Sequence, residues 1–395
     1  DNANEFISNV PNGHDFSVQQ WSMTTPGNPT TMQIGGSGIV GSRIIVEPGY
    51  TLKFLGGQNV NLQFPHVEEF GNGIAYSGQP MKNIVVEPGG KVIIENGVVL
   101  RGIAECNSSW EGIELKSSIL GGVKAELLMG SAEIKDAITA IKTNAFSKIS
   151  IGSSLGNDAK FTNCRTGIEM YNDNYSTSKI IKSIFHYTKP IEAGFNEGLE
   201  NHIYLDNING LNIWGSQFIN SDASSNMISG TYRGTGIKAI NSNFNVLKNQ
   251  ANVNNLNECH PPSQIEPPCL FQSLSIGIDA VYLIPTYYTG YRIKVLNNRF
   301  INCRHAMHFA NGNNISVFEN EIFIEDTNLG QEPIYQLDGN YGITMNGVSQ
   351  FQIIQNKIQI NDLGRFSHGI SIINSDYLST IGKSIIYKNE SLSSI

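Results

Sequence analysis

The chain has 395 residues, a formal net charge of -8 and only 15% charged residues. A net acidic chain without a Lys/Arg cluster argues against nucleic acid or an anionic membrane surface as partner, and no apolar run is long enough to span a bilayer. The polar content is Asn, Ser, Gly and Thr instead, of which Gly and Asn suit tight corners because both tolerate positive φ.

Residues 1–40 are irregular and rich in Pro, Gly, Asn and Thr. A solenoid needs a cover over its first coil, so this stretch is expected to be an N-terminal cap. The opening DNANEF has neither the basic nor the apolar region of a signal peptide and reads as a mature N-terminus. Two copies of one phrase follow, Ile44-Ile45-Val46-Glu47-Pro48-Gly49 and Ile84-Val85-Val86-Glu87-Pro88-Gly89. Each reads as a strand, a Pro-Gly turn of type II character and another strand. Their offset of 40 residues fits two coils, or one coil with a long excursion.

CNSSWEGIEL (106–115) and SAEIKDAITAI (131–141) come next. The second has Ile134, Ile138 and Ile141 near helical spacing, but coil-like stretches flank it, and two short strands around a corner are expected. From there one frame recurs. Met307 precedes Ile322, Ile343 precedes Ile358 and Ile370 precedes Ile385 by the same 15 residues, and Ile203 leads to Phe218 likewise. Ile168 leads to Ile184 one residue late, Ile237 to Phe244 in shortened form, and Ile278 to Phe300 with seven extra residues. Short strands and polar corners in a fixed frame mark a solenoid whose units bury their apolar faces by stacking, here a parallel β-helix. All six anchors of the three 15-residue copies, from Met307 to Ile385, should point inward.

Aromatic and aliphatic anchors at one coil position should form an inward ladder. Asn residues at a corner, as in the phrases ending at Asn163, Asn220 and Asn302, should form an amide ladder. Five cysteines are present. Cys259 and Cys269 flank the Pro-rich HPPSQIEPP, which cannot enter a sheet interior. A disulfide closing this loop is expected, and with it an oxidising compartment. Cys164 and Cys303 share a context, KFTNCRTGI and RFINCRHAM, but lie too many coils apart to bond and read as buried thiols. Cys106 carries no assignment.

The paired VEPG phrases, CNSSWEGIEL, SAEIKDAITAI and the later F-x-N…G-I coils resemble the right-handed parallel β-helix proteins secreted by Bacteroidetes-type bacteria. The likeness covers most of residues 44–388. It implies an all-β, right-handed parallel β-helix over 41–395, with outward loop insertions and an excursion near 245–273. It also implies export through a type IX secretion system and residence outside the cell or on its outer surface. The chain is expected to continue beyond SLSSI into other domains of a longer chain or a secretion or anchoring apparatus.

Some parallel β-helices cleave polysaccharides, and Arg292-Ile293-Lys294 matches the R-I-K tripeptide of the polygalacturonases. Inverting hydrolysis needs two carboxyl groups, yet no adjacent Asp-Asp pair occurs and Ser367-His368-Gly369 falls on the wrong side of the tripeptide. Asp206, Asp222, Asp279, Asp338, Asp362 and Asp376 are scattered and read as corner residues. No metal site and no cofactor is expected. His305, Tyr341 and His368 share a frame position and should stack as a surface ladder with a packing role.

The insertion 282–291 carries four tyrosines, whose flat faces and hydroxyls suit sugar or protein contacts. Tyr282, Tyr287, Tyr288 and Tyr291, with Arg292, are therefore the candidate ligand-binding residues. The functional expectation is a non-catalytic, adhesin-like module that binds a glycan or a cell-surface protein or serves as a spacer, without membrane insertion. The alternative is a polysaccharide lyase or glycoside hydrolase of the β-helix type.

Overall fold

The computed structural model describes residues 16–25, 27, 29–40, 43–56, 61–64, 83–102, 109–116, 122–152, 158–173, 177–188, 198–221, 233–248, 267–283, 292–325, 339–361, 367–375, 385–387 and 389–393. They are built almost wholly of short parallel strands, dealt in rotation to three sheets, in a right-handed parallel β-helix. Two compact units are distinguished, residues 1–184 with 190–197, and residues 185–189 with 198–395.

In the first unit, one sheet runs through Phe16–Ser17, Ile44–Val46, Ile84–Val86, Ile113–Leu115, Thr139–Thr143 and Thr166–Tyr171. The leading strand of each sheet, together with the short helix Val18–Thr24, lies inside the stretch read as a cap. Both Pro-Gly turns form as expected. Tyr50 N donates to Glu47 O and Gly90 N to Glu87 O, with Gly49 and Gly89 at φ 83° and 86°. Ile44 pairs with Ile84 and Thr51 with Lys91, so the 40-residue offset is a single coil. SAEIKDAITAI splits into Glu133–Lys135 and Thr139–Thr143 around Asp136, whose φ is 54°.

In the second unit the equivalent sheet runs through Asn201–Asp206, Thr235–Ile240, Ile276–Val281, His305–Ala310, Asn340–Asn346 and Ser367–Ile373. One full coil is His305–Ala310, Asn313–Phe318 and Glu321–Glu325, each strand pairing with its counterpart in the next coil. All three corners use left-handed residues, for example Asn311, Glu319 and Asn302 at φ 55°, 54° and 53°. One such residue bends the chain without disturbing the strands on either side, and short-polar Asn tolerates the conformation best.

The inward anchors Met307, Ile343, Ile322 and Ile358 are fully buried and in register, while Ile370 is half-buried. The third copy departs from the frame. Ile385 sits in the second sheet opposite Gln352, and the residue aligned with Ile358 is Ser391. Phe185, not Ile184, takes the anchor position of its strand, and Phe244 lies in the second sheet, leaving Phe271 as the counterpart of Phe218. In each case loop length between strands varies, so a fixed count lands on the wrong strand or the wrong face.

The predicted aromatic ladder is present. Phe185, Phe218, Phe271 and Phe300 stack with ring centroids 5.1, 4.7 and 4.6 Å apart. Gly277 is required beneath it, since a Cβ there would lie 2.5 Å from Ala306 O and 2.8 Å from the Phe300 ring. The amide ladder also exists, at a different corner from the one expected. Asn298, Asn320, Asn356 and Asn389 each precede a third-sheet anchor position by two residues. The Oδ1 of Asn320, Asn356 and Asn389 accepts from both the backbone N and the Nδ2 of the preceding Asn, at 2.9 to 3.2 Å. Asn163 and Asn302 serve instead as left-handed corner residues, and Asn220 Nδ2 donates to Arg233 O.

Candidate functional site

Of the five residues proposed for ligand contact, Tyr282 is misplaced in that role. It is 1% exposed, and its hydroxyl lies 2.8 Å from Ser242 O and 2.9 Å from Asn243 Oδ1. Tyr282 follows directly on the strand Ile276–Val281 and turns into the corner, where a hydroxyl can satisfy buried acceptors. Arg292 is exposed, while Tyr287, Tyr288 and Tyr291 lie outside the described residues. Leu283 is a further exposed apolar residue at the base of this insertion.

Cys259 and Cys106 also lie outside the described residues. The Cys269 thiol is buried two residues before Phe271, at the ladder position that Asn298 takes in the next coil, and Ser216 N donates to its sulfur at 3.3 Å. Cys164 and Cys303 are buried thiols, both pushed up to about 12 by burial, which keeps them protonated and inert.

His305, Tyr341 and His368 form the expected column, with centroids 4.8 and 5.3 Å apart. It is not a surface ladder, because His305 and Tyr341 are buried and only His368 is exposed. Burial lowers His305 to about 4, helped by the nearby positive charges of Arg304 and His308 and opposed by Asp279. His202 is fully buried beside Phe185 and Phe218, and burial pushes it down to about 3. His186 is lowered by burial as well, and its Nε2 lies 2.5 Å from Ser221 Oγ.

The most concentrated chemistry lies on the outer face of the second unit's first sheet. Ile203, Ile237, Ile278, Met307 and Ile343 fill the interior, so the residue after each faces the other way. Register aligns Tyr204, Lys238, Asp279, His308, Thr344 and Ser371 in one row, one residue per coil. His308 Nδ1 donates to Asp279 Oδ1 at 2.8 Å, a carboxylate being able only to accept, so Nε2 is the ring nitrogen left for a further partner. Although they face away from the core, Asp279 and Thr344 are only 4% and 3% exposed. Among the described residues Thr344 Oγ1 meets no hydrogen-bond partner.

Two residues further along each strand a second outward row runs through Ile240, Val281 and Ala310 to Asn346. The face thus carries a polar row beside a largely apolar one. Among the described residues no group of three or more His, Cys, Asp or Glu side chains is placed to hold a metal ion.

The row was legible in the sequence. Each member directly follows an anchor of the repeating frame, and that frame would have placed His308 beside Asp279. Spacing along the chain leaves Asp279 among scattered Asp residues and hides a contact made from one coil to the next.

No family model matches the chain, and no curated protein matches it. Among solved structures, the chain is similar to PfbA, a surface adhesin of Streptococcus pneumoniae, with a TM-score of 0.41 and 12% identity, over 95% of this chain and 88% of that one.

Proposed function

We propose that this is a secreted or cell-surface β-helix protein, adhesin-like and non-catalytic, whose stacked wall recognises a glycan or a protein and otherwise acts as a rigid spacer. The observation that carries the reading is the outward row containing Asp279, His308 and Thr344. It concentrates buried polar groups on the side of the sheet where the core has no use for them. The same reading has the chain exported by a type IX system of a Bacteroidetes-type bacterium as part of a longer chain, which rests on the resemblance of its repeats.

The test is a panel of polysaccharides and cell-surface proteins assayed for both binding and cleavage. Saturable binding with no release of reducing ends is the expected result. Released ends would establish the alternative, a polysaccharide lyase or glycoside hydrolase. Tyr287, Tyr288, Tyr291 and Arg292 belong to the same reading as a second contact. Replacing Tyr287 and Tyr288 together with Ala should weaken binding at unchanged melting. Lowered melting with binding intact would make these rings wall packing.

A further inference from the structure

The outer face of the third sheet in the second unit carries an order that the coil itself does not require. Its inner side is the stack of Phe218, Phe271 and Phe300, continued by Ile322 and Ile358, so the residues on either side of each anchor face outward. One outward row reads Ile219, Gln272, Ile301, Phe323, Gln359 and, at the sixth register position, Leu392. The first five are half-buried. The order is apolar, amide, apolar, apolar, amide, apolar, and it is the same from either end. Its midpoint falls between Ile301 and Phe323. At the same midpoint the neighbouring outward row has Arg299 and Glu321, whose side chains are 53% and 61% exposed and meet at 3.0 Å.

We infer that this face is a self-association surface whose partner is a second copy of this chain, related by a two-fold axis that runs parallel to the strands and passes between Ile301 and Phe323. Rotation about that axis turns one face onto the other, reverses the order of the coils and keeps each row opposite itself. A row that is the same in both directions then meets like with like. Ile301 packs on Phe323 of the second copy, and Gln272 lies opposite its Gln359, where each amide can both donate and accept. In the charged row Arg299 comes opposite Glu321 of the second copy and Glu321 opposite its Arg299, so four charges alternate in sign around the axis.

Charge and pattern select the same axis. Moved by half a coil, it would set Arg299 or Glu321 against its own counterpart. Moved by a whole coil towards Lys357, it would set Phe323 against Gln359. An axis along the coils would lay the apolar row on the charged one. Six strands about 4.8 Å apart and about four residues long make a strip of roughly 300 Å². That is well below the roughly 800 Å² a side of a standard interface, so the dimer is weak, with a dissociation constant of about 10–100 μM. The contact uses a different sheet from the row proposed for recognition and goes beyond that reading.

The experiment is sedimentation velocity of the whole chain in reducing buffer, from about 1 to about 300 μM. Wild type should pass from monomer to dimer and stop there, because a two-fold contact closes on itself. Arg299→Glu and Glu321→Arg should each weaken dimerisation at least about tenfold, since each sets like charges opposite one another across the axis. Melting should change little, as both side chains are exposed. Mixed in equal amounts, the two variants should dimerise again, because the acidic positions of one then face the basic positions of the other. A pair that acts only within its own chain gives no such rescue. Gln352→Arg, on the second sheet, should dimerise as wild type does. Wild type that stays monomeric throughout, single variants that dimerise unweakened, a mixture that stays monomeric, or loss of the dimer in Gln352→Arg each overturns the inference. Assembly beyond a dimer overturns the two-fold axis.

Discussion

The two units stack the same kind of coil but stabilise it with different chemistry. In the first, coils are joined on the outside by charge. Lys53 and Glu95 meet at 2.7 Å, Lys116 and Glu87 at 2.9 Å, and Glu126 lies 3.6 Å from both Lys91 and Lys148. These pairs are partly exposed, and each is worth about 0.2–1 kcal/mol. In the second, coils are joined from inside by the Phe stack and by the amides of Asn298, Asn320, Asn356 and Asn389. The described residues of the first unit include no histidine, whereas His202 and His305 are buried in the second. Each unit also holds an example of the other's device, the exposed pair Arg299–Glu321 in the second and the buried stack of Phe64 on Trp110 in the first. The inward apolar anchors are common to both, so one architecture tolerates both a salt-sensitive exterior and an acid-sensitive interior.

Acid should separate the units most. Both buried imidazoles are held neutral in the fold, His202 down to about 3 and His305 down to about 4. The unfolded chain takes up protons near the ordinary value of about 6.5, so stability is complete above that pH and falls as pH drops towards the folded values. Around His305 the groups in play are Arg304 and His308, which oppose its charging, Asp279, which favours it, and its stacking partners Tyr341 and His368. Between pH 6.5 and 4.5 the two together should remove about 5 kcal/mol, at about 1.4 kcal/mol per unit for each group. Hydrogen exchange across this range should show the second unit opening first, and His202→Phe should remove about half of the slope. Equal loss of protection in both units would break the comparison.

Next in size is the amide ladder. Asn320→Ala leaves the backbone N of Asn298 without its acceptor and its Nδ2 with Val246 O alone, removes the donor to Val295 O and takes one of two donors from Asn356 Oδ1. Denaturant unfolding should register a loss of about 3 kcal/mol, the cost of several buried groups left partly unsatisfied. A loss below about 1 kcal/mol would mean that the ladder fills space and does little else. Smaller again is Tyr282→Phe, which should cost about 1 kcal/mol for one buried hydrogen bond. Ligand binding should be unchanged, and weakened binding at unchanged stability would return Tyr282 to the recognition surface.

The smallest effect belongs to the exterior of the first unit. Lys53→Met breaks its contact with Glu95, whose carboxyl lies below its usual range through hydrogen bonds from Lys53 first and from Gly56 N second. Gly56 N still bonds that carboxylate in the variant. The cost should stay under about 1 kcal/mol and shrink further in high salt. A larger, salt-independent cost would give the outer charges the weight assigned here to the inner amides.

The turn sequences around Pro48-Gly49 and Pro88-Gly89 could be read directly, because their requirement for positive φ is local. So could the corner inside SAEIKDAITAI and Phe218 and Phe300 as ladder members, because alternation within a strand and repetition between coils point the same way, whereas the count from Ile237 runs to Phe244 and misses Phe271. The copy ending at Ile385 could not, since the loop before it is longer and a count along the chain has no measure of that. Tyr282 was misread for a related reason. Its neighbours in sequence suggested an outward loop, while the acceptors that hold it, Ser242 O and Asn243 Oδ1, belong to the preceding coil.

The sequence by itself determined the class of fold, the Pro-Gly turns and the inward alternation of anchors such as Met307 and Ile343, since these depend on φ preferences and on a period of two. Only the tertiary structure decided which coil each strand joins, and with it every contact made from one coil to the next. His308 reaches Asp279, Asn298 meets Asn320 and Cys269 stands in the ladder position because parallel strands about 4.8 Å apart bring together residues separated by 22 to 29 positions along the chain. That separation is set by loops whose length costs little free energy to vary, so the spacing in sequence drifts while the spacing in space stays constant.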